Sequence, residues 1–364
     1  MTEPLRILQI VSSLNTGSGM LSVVLNWHHH IDTSRVQFDY LYIHVSPSMR
    51  KEEIARLGGK SYRLPHPFQH PFRFLKESFL FFKKHRYTTV HSHITHLNFF
   101  FYPLAKIFGT KNIIQHAHGS KWSDKKINGW RNYLMLHAVW PLINEKLACS
   151  QLAGQVYFGK NFKVINNGIE IEKFIYNPVV RITKRKELGL ENSFVVGHVG
   201  RFSREKNHSF LVNVFAKLVK QEPTARLVLV GTGRMEKEIR QQVVKQGLTE
   251  KVLFLGARKD VAELYQAFDC LVLPSLHEGF PMVGVEAQAA GLPCLFADTI
   301  TPEILLLPTS LMISLEETAD RWAWQVLLLK GTTHVLGDEV LRAKGFDVCQ
   351  VARQIQDFYE GLEK

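Results

Sequence analysis

Short apolar runs rich in Val, Ile, Leu and Phe alternate with stretches of helical periodicity through most of this chain, and that alternation most narrows what it can fold into. In the first half, "RILQIV", "QFDYLYI", "TTVHSH" and "NIIQHAHG" read as strands, with weaker ones at "KLACS" and "FKVI". In the second half, "FVVGHVG", "ARLVLVG", "KVLFLG", "CLVLP" and "PCLFAD" make a cleaner series. Strands separated by helices imply βαβ units and parallel sheets. At 364 residues the chain can form two such domains, each with its own core. The boundary is expected near Asn177 and Pro178, where the periodicity lapses. At the end, Val348, Val351, Ala352, Ile355, Phe358, Tyr359 and Leu362 recur at helical spacing and predict a final amphipathic helix.

Charge separates the halves. Residues 1 to 175 carry 22 Lys+Arg against 10 Asp+Glu, residues 176 to 364 carry 23 of each, and so the net +12 belongs to the first half. Thirteen of the 17 histidines lie there too. A basic half suggests an anionic partner: a nucleic acid, a membrane surface or a charged substrate. Cys149, Cys270, Cys294 and Cys349 are scattered without a C-x-x-C, as expected of reduced core residues in a cytosolic protein. The opening "MTEPLRILQIVSSLNTGSGM" reads as a first strand rather than a signal peptide, and nowhere do about 18 apolar residues run together to span a bilayer.

Four strand ends in the second half fall at one edge of the expected sheet, where ligands of open α/β folds collect. "VGRFSREKN" brings Arg201 and Lys206, two cations suited to a diphosphate. "LVGTG" brings Gly231 and Gly233, which let backbone approach a ligand closely. "FLGARKDV" brings Arg258, and "LPSLHEGFPMVGVE" brings Glu278 and Glu286. If that last stretch were all helix, eight residues at about 100° each would leave the two carboxylates roughly 80° apart, on no common face. Pro281 confines the helix start, so Glu278 belongs to the loop before it and Glu286 lies one turn inside. The two acids then flank a helix N-terminus, whose amides favour an anion.

In order and spacing these four segments resemble the donor-binding domain of the retaining glycosyltransferases of family 4, and Glu278 to Glu286 resembles their E-x7-E signature. The likeness is strong over about residues 193 to 303. The opening segment together with "EAQAAGLPCLFADTITPEI" is similar to the branch that builds bacterial exopolysaccharides and capsules. The resemblance implies the GT-B fold: two Rossmann-like α/β domains with parallel sheets facing a central cleft, here an acceptor domain over 1–175, a donor domain over 176–345, and a C-terminal helix over 346–364 that crosses back to the first. It casts Arg201 and Lys206 as the grip on the leaving diphosphate, Glu286 as the partner of the ribose hydroxyls and Glu278 as the partner of the transferred sugar. The N–H groups of Gly279, Phe280, Met282 and Val283 would serve sugar and phosphate, with Gly231, Gly233 and Arg258 also around the donor. In the first domain it turns the loop of Gly17 and Gly19 towards the donor, and sets His118 against the sugar.

Read by itself, "NTGSGMLS" hints at a dinucleotide loop, with Asp39 about 20 residues on, but Ser22 stands where a third glycine belongs. No D-x-D occurs, and His91, His93, His96 and His28 to His30 lack a Cys or carboxylate at ligand spacing, so neither metal nor other cofactor is expected. "HPFRFLKESFLFFKKHRY" and "HLNFFFYPLAKIFGTK" interleave Phe with basic residues, as a segment at an anionic bilayer surface would. The expected activity is transfer of a sugar from a nucleotide donor, a UDP-sugar, to a lipid-linked saccharide by a cytoplasmic enzyme held at the inner face of the membrane. The alternatives are a sugar-nucleotide epimerase on the same fold and a basic nucleic-acid-binding protein, although no nucleic-acid motif occurs.

Overall fold

The computed structural model describes every residue except 1, 2, 17, 47, 120, 124, 125 and 364, and the side chain of residue 126. It separates into two compact units, Met1–Gly168 with Val348–Lys364, and Ile169–Asp347. The first holds strands β1 (Leu5–Ile10), β2 (Val36–Tyr42), β3 (Ser61–Arg63), β4 (Thr89–Ser92), β5 (Asn112–Ala117), β6 (Glu145–Ala148) and β7 (Lys163–Val164). The second holds β8 (Phe194–Val199), β9 (Ala225–Val230), β10 (Val252–Gly256), β11 (Cys270–Leu273), β12 (Cys294–Ala297) and β13 (Ser310–Ile313).

Each sheet is wholly parallel, ordered β3-β2-β1-β4-β5-β6-β7 and β10-β9-β8-β11-β12-β13. This is the expected α/β architecture. The β2, β8 and β11 strands are buried from end to end, as parallel strands covered on both faces must be. Strand order reverses beside β1 in one sheet and beside β8 in the other, so each has a switch point, β1/β4 and β8/β11, where the flanking loops part and leave a crevice. The short edge strands β3 and β13 escape sequence reading because three or four residues carry too little periodicity.

Asn177 and Pro178 open a helix instead of a linker. Asn177 Oδ1 accepts from the amides of Val179 and Val180 at 3.0 and 3.3 Å, and Pro178 follows at the first helical position, the ordinary signature of a helix start. The chain passes between units earlier, at Gly168 and Ile169. The final helix runs Val348–Gly361 and buries Val348, Val351, Ala352, Ile355 and Tyr359 within the first unit, against the Gly19–His30 helix and β2. Cys149, Cys270 and Cys294 are buried, whereas Cys349 faces solvent from the outer side of that helix, a departure from the expected core position.

Candidate functional site

The second sheet builds its switch-point loops by backbone contact. Gly231 adopts φ +135°, and a Cβ there would meet the Gly200 carbonyl at 2.1 Å; one at Gly233 would meet the Phe202 carbonyl at 2.4 Å. Both glycines are therefore required for the loop after β9 to lie on the loop after β8. Hydrogen bonds close that seam, from Phe202 N to Thr232 O at 3.0 Å and from Met235 N to Phe202 O at 3.1 Å. The loop after β11 is fastened to the same segment by Leu276 N donating to Glu205 O at 2.8 Å.

Across these joined loops stand two ion pairs. Lys206 Nζ meets Glu278 Oε1 at 2.6 Å, and Arg201 meets Glu205 at 2.8 Å. They differ in setting: the Lys206 side chain is 17% exposed and that of Arg201 66%. An ammonium has three donors, so Lys206 can hold Glu278 and still offer N–H groups to an anion. Burial works to raise the Glu205 carboxyl, but hydrogen bonds from Ser203 and Arg201 outweigh it and hold it at about 2. Glu205 thus remains ionised and restrains Arg201.

The helix after Glu278 spans Met282–Ala289, with Pro281 at the N-cap position, one residue earlier than a first-turn proline. Its N-terminal amides of Met282 and Val283 follow Gly279 and Phe280, and Phe280 stacks on Phe346 with ring centres 5.3 Å apart. Glu286 lies one turn in. Tyr265, fully buried, donates to Glu286 Oε2 at 2.9 Å, and burial pushes the Glu286 carboxyl above its ordinary value despite that bond. Behind it, buried Gln288 accepts from Leu306 N, Leu307 N and Ser310 Oγ at 2.8 to 3.0 Å and donates to Gly284 O and Ile304 O. Gln288 thereby latches the chain from Ile304 to Ser310 to the helix. Glu205, Tyr265 and Gln288 were not singled out from the sequence; the one available signal was a glutamine inside the apolar run "EAQAAG".

Arg258 is drawn into another cluster. It meets Asp260 through two bonds at 2.7 and 2.6 Å and Glu187 at 3.5 Å, while Lys184 joins Glu187, Asp260 and Glu263. The structure thus brings Arg201, Lys206, Gly231, Gly233 and Glu278 into touching loops, places Glu286 in the helix that follows, and engages Arg258 with carboxylates.

At the β1/β4 switch point of the first sheet, His91, His93, His116 and His118 gather with Trp27. Ring centres of His116 and His118 are 4.2 Å apart and those of His91 and His93 4.3 Å, with Trp27 stacked on His91 and His116. Burial drives His91, His93 and His116 well below the usual imidazole range and His118 to about 4, so all four are neutral near pH 7. One ring nitrogen from each of His91, His93 and His116 lies within 4.8 Å of the others, close enough for these side chains to hold a metal ion. Sequence spacing could not show this, because β4 and β5 pair in space while lying well apart in the chain. His28 bonds Tyr40 and Gln37, His29 pairs with Glu53, and His30 bonds the Asn26 carbonyl, so the run "HHH" points three ways. Gly19 opens the helix after β1; Gly17 lies outside the described residues. Asp39 is held by Arg6, Tyr87 and the Lys60 amide, as a structural acid of the core rather than a ribose ligand.

Comparison with known proteins agrees with this architecture. Residues 180–305 match the model of the glycosyl transferases group 1 family. Over 334 residues, 87% of this chain and 86% of the relative, the sequence is 34% identical to the putative glycosyltransferase EpsF of Bacillus subtilis. It is 29% identical over 231 residues, 59% of each chain, to the Escherichia coli UDP-Gal:alpha-D-GlcNAc-diphosphoundecaprenol alpha-1,3-galactosyltransferase. Among solved structures, Anabaena Alr3699/HepE in complex with UDP-glucose superposes with TM-score 0.80 at 20% identity, covering 98% of this chain and 99% of that one. The chain belongs to the glycosyl transferases group 1 family and has the GT-B fold. It is a glycosyltransferase.

Proposed function

We propose that this enzyme transfers a sugar, with retention at the anomeric carbon, from a UDP-sugar to a lipid-linked saccharide during assembly of a bacterial exopolysaccharide or capsule. The observation that carries this is the constellation at the second switch point: Lys206 on Glu278, Arg201 beside it, and Glu286 one turn inside a helix that starts just after Glu278. When the anomeric C–O bond breaks, its electron pair leaves with the diphosphate. Fixed cations and a helix N-terminus stabilise that charge where it develops. Lys206 and Arg201 grip the diphosphate, with the amides of Gly279, Phe280, Met282 and Val283 nearby. The loops of Gly231 and Gly233 let backbone approach the nucleotide. Glu286, with Tyr265 on one oxygen, receives ribose hydroxyls on the other, and Glu278 receives the transferred sugar; in the first unit, His118 is a partner for a sugar hydroxyl. Arg258 serves the donor domain by holding Asp260, while Arg201 and Lys206 supply the charge. In the retaining step the acceptor hydroxyl forms the new C–O bond on the face the diphosphate leaves, and its proton passes to a departing phosphate oxygen.

The nature of donor and acceptor draws on relatives: the Escherichia coli enzyme's name specifies UDP-Gal and a diphosphoundecaprenol-linked sugar, and HepE holds UDP-glucose. A membrane-bound acceptor also suits the surface of the first unit. No helix among the described residues is long and apolar enough to cross a membrane. The Pro71–Lys84 helix exposes Phe72 (87%), Leu75 and Phe79 beside Arg73, Lys76, Lys83 and Lys84, while Phe74, Phe81 and Phe82 face inward. It packs on the Asn98–Ile107 helix, which packs on Lys126–Ala138, where Ile127, Trp130 (69%) and Leu134 are exposed in turn. Apolar side chains among cations fit an anionic interface, at the cytoplasmic face of the membrane.

A thermal-shift screen of nucleotide sugars tests the donor, with a UDP-sugar expected to raise Tm. Mass spectrometry with undecaprenyl-diphosphate-linked sugar should then show an acceptor heavier by one sugar residue and free UDP. Release of an altered nucleotide sugar without acceptor would instead identify an epimerase.

A further inference from the structure

The first switch point carries more order than sugar contact alone requires. Gln9 from β1, His91 and His93 from β4 and the residue after it, His116 and His118 from β5 and the residue after it, and Tyr359 from the final helix form one hydrogen-bonded circuit. Gln9, His91, His93, His116 and Tyr359 are buried, and His118 is half-buried. Gln9 and Tyr359 meet although 350 residues apart in the chain.

The direction of the circuit follows from the Gln9 amide. Its Nε2 can only donate, and donates to Tyr359 Oη at 3.0 Å. The Tyr359 hydroxyl then gives its one proton to His91 Nδ1 at 2.6 Å, which leaves the His91 proton on Nε2, facing His116 Nδ1 at 3.2 Å. On the other side, Gln9 Oε1 can only accept, so His93 carries its proton on Nε2, 2.8 Å away. His93 Nδ1 is then a lone pair and accepts from His118 Nε2 at 2.7 Å. A neutral imidazole has one proton, so these hydrogen bonds define where each proton lies.

We propose that Gln9 and Tyr359 are positioning residues that keep the His118 proton on Nε2, so that its Nδ1 lone pair accepts a hydrogen bond from a hydroxyl of the transferred sugar. This rests on the reading of His118 as a sugar partner. The opposite tautomer would present an N–H to the substrate and select a sugar oxygen acting as acceptor. Recognition by the first unit is therefore set by a phenol on the last helix that itself stands two hydrogen-bonded groups away from His118. The circuit also bears on metal binding, since it engages both nitrogens of His91 and His93 and, of the six ring nitrogens of His91, His93 and His116, leaves only Nε2 of His116 without a partner among the described residues.

The test is a long-range 1H–15N correlation spectrum of the full chain labelled at histidine, without substrate. His93 and His118 are expected to show the Nε2–H pattern; Nδ1–H on His118 would overturn the proposal. So would a stoichiometric shift of the His91, His93 and His116 signals on adding zinc. In Tyr359→Phe the circuit loses its direction: His118 should show both tautomers and kcat should fall about tenfold, the worth of one hydrogen bond. UDP affinity by calorimetry should be unchanged, because UDP lacks the transferred sugar that His118 would meet. A wild-type tautomer pattern with unchanged kcat in this variant, or equal losses in kcat and UDP affinity, would refute it. Should Tyr359→Phe fail to fold, Gln9→Met takes its place, with the same expectations. If the wild-type protein transfers no sugar from any UDP donor, the functional reading fails, while the tautomer measurement still decides the circuit.

Discussion

The two units share a topology and differ in what they put at its crevice. Both sheets are parallel and reverse strand order beside their first strand, and both collect side chains at that point. In the second unit these are Lys206–Glu278 and Arg201–Glu205, an ionic lining suited to a diphosphate. In the first they are neutral imidazoles, an indole and a phenol, suited to hydroxyl groups. The contrast runs against bulk charge, because the whole +12 lies in residues 1 to 175 while the rings gathered at that unit's switch point are neutral. Its cations sit on outer helices such as Pro71–Lys84. Net charge therefore reports on the surface of this protein, and the chemistry of a site depends on which residues the strand ends carry.

Acid should break the comparison most strongly. His28 and His118 titrate at about 4 in the folded unit, and burial holds His91, His93 and His116 well below the usual imidazole range, against about 6.5 in an unfolded chain. Between pH 6.5 and 4 the unfolded state binds more protons, so stability falls as pH falls, by on the order of 1 kcal/mol per pH unit for each buried imidazole. In the second unit His198 at about 4 and His208 at about 2 act in the same sense, but they are fewer. Hydrogen exchange on the full chain should show the first unit opening at higher pH than the second; simultaneous opening would remove this difference between them.

Next in size, Lys206→Ala should lower turnover about a hundred- to a thousandfold, the usual loss for one preorganised donor to a developing charge. Glu278→Gln should also act mainly on kcat, and a rate assay that finds either unchanged would take the ionic crevice out of catalysis. Glu286→Ala should weaken UDP binding tenfold or more, as lost hydrogen bonds to a charged group do, and should also lower Tm, because the buried Tyr265 hydroxyl loses its acceptor. Calorimetry giving an unchanged Kd would mean that the carboxylate meets no ribose. The smallest effect is expected at the outer surface: Lys84→Gln should reduce sedimentation with phosphatidylserine vesicles by about fivefold, near 1 kcal/mol, without altering UDP affinity. Equal sedimentation would leave the basic helix without a membrane role.

Much of this was legible in the sequence. Strands such as "RILQIV" and "FVVGHV" announce themselves because a parallel strand buried on both faces must be continuously apolar. Pro281 marks a helix start, since a proline has no amide for the helix ladder. From these the chain by itself determined the alternating architecture, the placement of Glu278 in a loop and Glu286 in a helix, and the final amphipathic segment. Only the tertiary structure decided the partners: Glu278 for Lys206, Tyr265 for Glu286, Asp260 for Arg258, and Tyr359 for Gln9 and His91. The physical reason is that periodicity is a local property of the backbone, whereas a hydrogen bond or an ion pair depends on distances that exist only after strands far apart in the chain have been laid side by side.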